Sequence, residues 1–126
     1  MKVIIAGSRE ISQYEAVKEA VKEAGFEITE VVSGGARGVD VLGERFALDN
    51  GLAVRRFLAN WTTFGPRAGY MRNVEMSEYA DALIAVWDGQ SPGTEMMVDI
   101  MKRAEKPVHV KIAAEDYKQQ YLERKR

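Results

Sequence analysis

Short apolar, β-branched runs alternate along this chain with segments whose apolar residues recur at helical spacing, and that alternation limits the available folds more than any other feature. Val3 to Ala6, Ile28 to Val32, Ala53 to Leu58, Ala82 to Val86 and Val108 to Ile112 read as five strands. Between the first two, Tyr14, Val17, Val21 and Ala24 share a helical face. Ser12 with Glu15 has the S-x-x-E spacing of a capping box at its start, and Gly25 stops it. Val39, Leu42, Phe46 and Ala47 make a second face that ends at Asn50-Gly51. Ala68, Met71, Val74 or Glu75, and Tyr79 make a third, and Met97, Ile100, Met101 and Ala104 a fourth.

Strands that are apolar on both faces and joined by helices belong in a parallel sheet covered on both sides, because parallel strands need right-handed crossovers. The expected fold is α/β: a doubly wound sandwich of about five parallel strands in the order 3-2-1-4-5, with helices on both faces. At 126 residues, one domain spanning 1–126 is expected. After the last strand, Glu115 and Asp116 precede Arg124, Lys125 and Arg126, a charge order that suits a C-terminal helix using Tyr117 and Tyr121.

In such a sheet, ligands bind beyond the carboxyl ends of the strands, near the point where the winding reverses. The loops that follow strands one, two and four are Gly7-Ser8-Arg9-Glu10, Ser33-Gly34-Gly35-Ala36-Arg37-Gly38, and Asp88 through Ser91, Gly93 and Thr94. All three fall on one rim. Glycines let backbone N–H groups approach an anion, a helix beginning directly afterwards adds its positive end, and Arg9 and Arg37 each offer a planar donor fork. Each loop alone has a plainer explanation: a tight strand-to-helix turn needs glycine anyway, Pro-Gly favours a turn, and Thr94 can cap a helix. The Walker pattern is absent, because no Gly-Lys-Ser/Thr follows the glycines.

Composition narrows the chemistry. With 18 basic and 19 acidic residues, the overall charge calls for neither a nucleic-acid nor a membrane surface, so an anion site must be local. Arg55, Arg56 and the terminal Arg-Lys-Arg are the one basic grouping that would serve DNA. Absence of cysteine, with a single histidine, excludes disulfides, thiolate nucleophiles and zinc sites built on Cys and His; neither metal nor cofactor is expected. His109 falls near the last strand, away from the switch point, and is given no role. The apolar run in MKVIIAGSRE is too short for a signal peptide, and no run approaches the roughly 18 residues of a membrane span, so a soluble, cytoplasmic protein is expected.

GSR after the first strand, SGGARGVD after the second, then Ala59-Asn60-Trp61, AGYMRN, DALIAVWDG and SPGT together resemble the SLOG superfamily. The resemblance is to its YspA or cpYpsA-related branch, a relative of the DprA and LOG proteins, and runs from about Lys2 to Val110. It implies a Rossmann-like fold whose glycine loops bind nucleotides or nucleotide-derived ligands. Relatives in the wider group include cytokinin-activating phosphoribohydrolases and a single-stranded DNA-binding recombination protein. By match to the family pattern, Gly7, Ser8, Arg9, Ser33, Gly34, Gly35, Ala36, Arg37, Gly38, Gly93 and Thr94 are the implied ligand-binding positions, with Asp88 and Ser91 in the same loops. Asp40, Arg72 and Asn73 are the implied supports, and Trp61 either walls the pocket or stacks on a base. The plainer alternatives are a helix cap for Asp40, a loop brace for Asn73 and a core aromatic for Trp61.

Three functions remain open on these residues. The preferred one is binding, as sensor or store, of a nucleotide or an ADP-ribose-like molecule. The second is a phosphoribohydrolase: LOG-type enzymes use P-G-G-x-G-T-x-x-E with an arginine from an R-x-x-E-M-like helix. Here MRNVEM supplies Arg72, but Met97 stands where the glutamate belongs, leaving Glu95 one residue after Thr94; Arg72 and Glu95 are the catalytic candidates, with Asp88 and Glu44 as other carboxylates. Single-stranded DNA binding is third. A homodimer or higher homo-oligomer is expected, with Met96, Met97 and Met101 offering an adaptable interface.

Overall fold

In the computed structural model, which describes residues 1–113, the alternation becomes a single five-stranded parallel sheet in the order β3-β2-β1-β4-β5. The strands are β1 (Lys2–Gly7), β2 (Glu30–Ser33), β3 (Ala53–Arg56), β4 (Ala82–Trp87) and β5 (Val108–Ile112). The helices are α1 (Tyr14–Ala24), α2 (Val39–Asp49), a one-turn α3 (Trp61–Phe64), α4 (Ala68–Tyr79) and α5 (Pro92–Arg103). A short 3₁₀ turn, Gly65–Arg67, leads from α3 into α4. The expected Rossmann-like, doubly wound architecture and strand order are those observed. The expected terminal helix with Tyr117 and Tyr121 lies outside the described residues. Among the described residues, no helix is long and apolar enough to cross a membrane.

The two faces of the sheet build two cores. Val3 and Ile5 of β1 and Ala82, Ile84 and Val86 of β4 pack with Ala16, Val17 and Ala20 of α1 and Val39 and Ala47 of α2. Ile4 and Ala6, with Leu83 and Ala85, point the other way to Met76 of α4 and Met97, Val98 and Met101 of α5. Strand side chains alternate faces, so a central strand with helices on both sides must be apolar at every position. β1 and β4 satisfy this in register, with Ile4 opposite Leu83 and Ile5 opposite Ile84.

Local expectations fail where tertiary packing outweighs them. α1 begins at Tyr14 and is preceded by Gln13, with no side-chain cap, so Ser12 stands one residue outside the cap position. Glu15 pairs with Lys18 at 3.0 Å instead of closing a capping box. Gly25 does end the helix in the left-handed region, at φ 69°. β3 stops at Arg56, one residue before the last ladder bond, from the Phe57 N–H to the Ser33 carbonyl (2.8 Å), and the chain then leaves the sheet edge for α3. α4 buries Ala68, Asn73, Met76 and Ser77, not the face through Met71 and Glu75. Met97 and Met101 are core residues, which removes them from any partner surface.

α4 is held at its far end by Lys106, whose ammonium donates to the carbonyls of Ser77 (2.5 Å) and Ala80 (2.8 Å). A cation there engages carbonyls left without helical partners and complements the negative end of the helix dipole. Lys106→Met is expected to lower stability by about 1–2 kcal/mol, the value of charged hydrogen bonds discounted for partial exposure. Urea denaturation measures it, and an unchanged midpoint would mean that the contact contributes nothing.

Candidate functional site

At the carboxyl end of the sheet, beside the point where the winding reverses at β1, lies a cavity of about 700 Å³. Four parts of the chain line it: Ala6 to Glu10 at the end of β1 and in the loop after it; Ala36 and Asp40 around the start of α2; Trp61, Pro66, Gly69, Tyr70, Arg72, Asn73 and Met76 from α3, the 3₁₀ turn and α4; and Ser91 to Thr94, Met96 and Met97 at and in α5.

Ser8 organises this rim from below. It is buried; its N–H donates to the Val86 carbonyl (3.1 Å), and its own carbonyl accepts from the N–H groups of Ile11 (3.4 Å) and Val39 (3.3 Å). Its hydroxyl oxygen accepts from the Asp88 N–H (3.0 Å) and lies 3.1 Å from the Ser91 hydroxyl. One residue thus connects the loops after β1, β2 and β4. Gly38 completes the junction: its φ is 77°, and a Cβ there would stand 2.5 Å from the carbonyl oxygens of both Ser8 and Arg9. A side chain at that position is excluded both by conformation and by backbone contact.

Asp88 shapes the third loop from outside the cavity lining. One carboxylate oxygen accepts from the N–H groups of Gln90 and Ser91, each at 2.8 Å, and the other from the Ser91 hydroxyl at 2.9 Å. Desolvation pushes its pKa up, but the bonds from Ser91 and Gln90 outweigh it and hold the group below the usual carboxylate range. Because the Ser91 hydroxyl is held by Asp88 and Ser8, it makes no cap bond to α5. The first turn of α5, with Gly93 and Thr94, faces the cavity, and N–H groups there have no partner within the helix.

The SGGARG loop is occupied with its own structure. The Gly35 N–H donates to the Ser33 hydroxyl (3.1 Å), and the Ala36 N–H to the Asp40 carboxylate (3.2 Å). Ser33 donates in turn to Glu44 (2.6 Å), which also accepts from Arg56 (3.2 Å). Of the six loop residues, only Ala36 lines the cavity; Ser33, Gly34, Gly35, Arg37 and Gly38 do not. Arg37 forms an exposed ion pair with Glu10 across the rim. Glu95 is exposed on α5 and Glu44 lies beneath the loop, so neither lines the cavity. The basic grouping of β3 is likewise engaged: Arg55 lies over the rings of Phe57 (5.3 Å) and Tyr79 (5.5 Å), while Arg56 pairs with Glu44.

Arg72 and Asp40 form the polar wall. Arg72 donates from Nη1 to the Gly34 carbonyl (2.9 Å) and from Nε to the Asn73 side-chain oxygen (3.1 Å). Desolvation lowers its pKa, Asp40 opposes that, and the nearby Arg9 guanidinium adds to it. Asp40 is only 6% exposed, and burial pushes its pKa up to about 6 against the bonds from Ala36 and Gly7 and the charge of Arg72. Arg9 has neither a hydrogen-bond nor an ion-pair partner among the described residues, and it opens into the cavity.

The first half of this architecture carries a family signature: the model describing the YspA, cpYpsA-related SLOG family matches residues 1–64. The chain belongs to that SLOG family. The match takes in the loops after β1 and β2 and reaches Trp61, whereas Arg72 and the Gly93-Thr94 turn lie beyond it. This SLOG chain is also 32% identical over 117 residues to the Gene 61 protein of Mycobacterium phage D29, covering 85% of this chain and 93% of the phage protein. Its fold matches that of DNA processing protein A (DprA) from Streptococcus pneumoniae with a TM-score of 0.69 at 19% identity, over 86% of this chain. The SLOG chain spans about half of that DprA chain, 49%.

The cavity is also lined by Ala6, Glu10, Pro66, Gly69, Tyr70, Met76, Pro92, Met96 and Met97, which the sequence motifs did not mark as ligand positions. For Tyr70 a signal existed, since it stands two residues before Arg72 within AGYMRN. Asp40 yields a pH test. Its folded pKa lies above its unfolded value, so its contribution to stability is complete below about pH 4 and is lost as pH rises through about 6. Relative to Asp40→Asn, the wild-type protein should lose on the order of 2–3 kcal/mol between pH 4 and pH 8. Parallel denaturation series of the two proteins check this; parallel pH profiles would show that Asp40 does not titrate in that range.

Proposed function

We propose that the cavity binds a nucleotide or nucleotide-derived anion, such as an ADP-ribose-like molecule, and that the protein senses or stores it. The supporting observation is the environment of Arg9: a guanidinium without a partner among the described residues that shares a cavity with the half-buried cation of Arg72 and the first turn of α5. Two like charges held in one cavity repel, and a phosphate placed between them and the helix terminus relieves that repulsion. In this reading the phosphate contacts Ser8, Arg9, Gly93 and Thr94. The SGGARG loop serves as the frame that orders Asp40 and Arg72, since its Gly35 and Ala36 amides already have internal acceptors.

A phosphoribohydrolase receives less support. Glu95 lies outside the cavity lining and Met97 is buried, so the carboxylates facing the cavity are Glu10 and Asp40, and Glu10 is paired with Arg37. Incubation with nucleoside monophosphates should therefore release no free base. The DNA reading rests on a neighbour that is a DNA processing protein and on a patch whose arginines have other partners.

Isothermal calorimetry with adenosine monophosphate, adenosine diphosphate and ADP-ribose tests the binding proposal. Arg9→Ala should weaken the best of these ligands by about tenfold or more, the loss of a charge-assisted contact of about 1.5–3 kcal/mol. Arg37→Ala should leave affinity within about twofold, because that arginine is tied to Glu10 at the rim. No measurable binding by the unaltered protein would overturn the proposal.

A further inference from the structure

Two aromatic side chains stand at the lip of this cavity outside both hydrophobic cores. Trp61 is 55% exposed and Tyr70 is 54% exposed, and both border one cavity, whereas exposed apolar side chains scattered singly over a surface are ordinary. The one aromatic pair among the described residues is Phe57 with Tyr79, and the cation contacts fall on Tyr14, Phe57 and Tyr79, so neither ring at the lip is engaged in this way.

Their mounting is specific. The chain leaves β3 and makes the single turn α3, capped by the Asn60 side chain, which accepts from the Thr63 N–H at 3.0 Å; Trp61 is its first residue. The indole lies along the first turn of α4, where a Cβ on Gly69 would come within 3.4 Å of its Cη2. Tyr70 follows in the same turn. Arg72 and Asn73 stand about one helical turn further on, and Met76 about 10 Å further along α4 from Gly69. The cavity therefore carries aromatic surface at the start of α4 and cationic or N–H donors from the β1 loop and the start of α5. That pairing of chemistries matches a phosphate joined through a sugar to a flat ring.

We infer that Trp61 and Tyr70 form a stacking surface for the base of the bound nucleotide, which is held by its face rather than read at its hydrogen-bonding edge. The inference rests on the phosphate-binding reading above. Both residues are more than half exposed, so their aromatic surface is open to a base laid on it. Stacking of this kind scales with ring area and tolerates base identity, because every base has a π-face. The ligand class is thus a purine nucleotide, with adenine and guanine accepted alike and pyrimidines held less tightly.

Calorimetry with adenosine, guanosine and uridine monophosphates, ribose 5-phosphate and inorganic phosphate decides it. Adenosine and guanosine monophosphates should bind within about threefold of each other, tighter than uridine monophosphate and much tighter than ribose 5-phosphate. Trp61→Ala should weaken the purine nucleotides by about 5- to 150-fold while leaving ribose 5-phosphate unchanged. Trp61→Phe, which keeps an aromatic face, should restore most of the loss, and circular dichroism of both variants verifies the fold. Equal affinities for ribose 5-phosphate and adenosine monophosphate, or equal weakening of both by Trp61→Ala, would overturn the base-stacking role while leaving the phosphate site standing. So would a preference of more than about tenfold between adenine and guanine. Failure of every phosphate compound to bind would instead overturn the phosphate-binding reading itself.

Discussion

The hydrogen bonds around buried Ser8 hold the rim of this protein together, because a single residue at the end of β1 meets the strand on one side and the loops of both neighbouring crossovers. Its N–H continues the ladder to β4, its carbonyl receives Val39 at the start of α2, and its hydroxyl receives Asp88. A polar residue buried so deeply is stable only with its groups paired, and here the partners are the loops that border the cavity. Gly38 must press against the same carbonyl for the arrangement to close. The cavity exists where it does because these loops cannot separate without exposing unpaired polar groups.

From that constraint follows the distribution of charge. Asp88 and the Gly35 and Ala36 amides are used internally, one to form the turn before α5 and the others bonded to Ser33 and Asp40. Asp40, short of solvent, is raised toward neutrality, and Arg72 is anchored on the Gly34 carbonyl. Arg9, without a hydrogen-bond or ion-pair partner among the described residues, and the first turn of α5 both face the cavity. The most glycine-rich loop is a frame, and the shorter GSR and SPGT loops border the open space.

Much of the fold was legible in the primary structure, for a definite reason. A strand covered on both faces must be apolar at every residue, so β1 and β4 announce themselves, and the helical segments between them leave parallel crossovers as the connection. Helix faces were less legible. In α4 the apolar Met71 is only half-buried while Asn73 and Ser77 are buried, because Ser77 bonds the Val74 carbonyl (2.7 Å) and Asn73 serves Arg72. A periodicity read by hydrophobicity alone cannot register polar groups that find partners inside. The Ser12 and Glu15 box failed similarly, since the helix start was set by packing one residue later.

The amino-acid order by itself determined the layer architecture and the loops that share the rim at the strands' carboxyl ends, since periodicity and the handedness of crossovers leave little choice there, while the strand order expected for it is the one the structure shows. Membership of the SLOG family is written in the same residues. Only the tertiary structure decided which of the loop groups remain open: whether an amide donates to Asp40 or to solvent, whether Arg37 meets Glu10, and whether Trp61 enters the core or stands at the lip. Those contacts range from four positions apart for Ala36 and Asp40 to 27 for Arg37 and Glu10, and spacing along the chain carries no record of which partner wins.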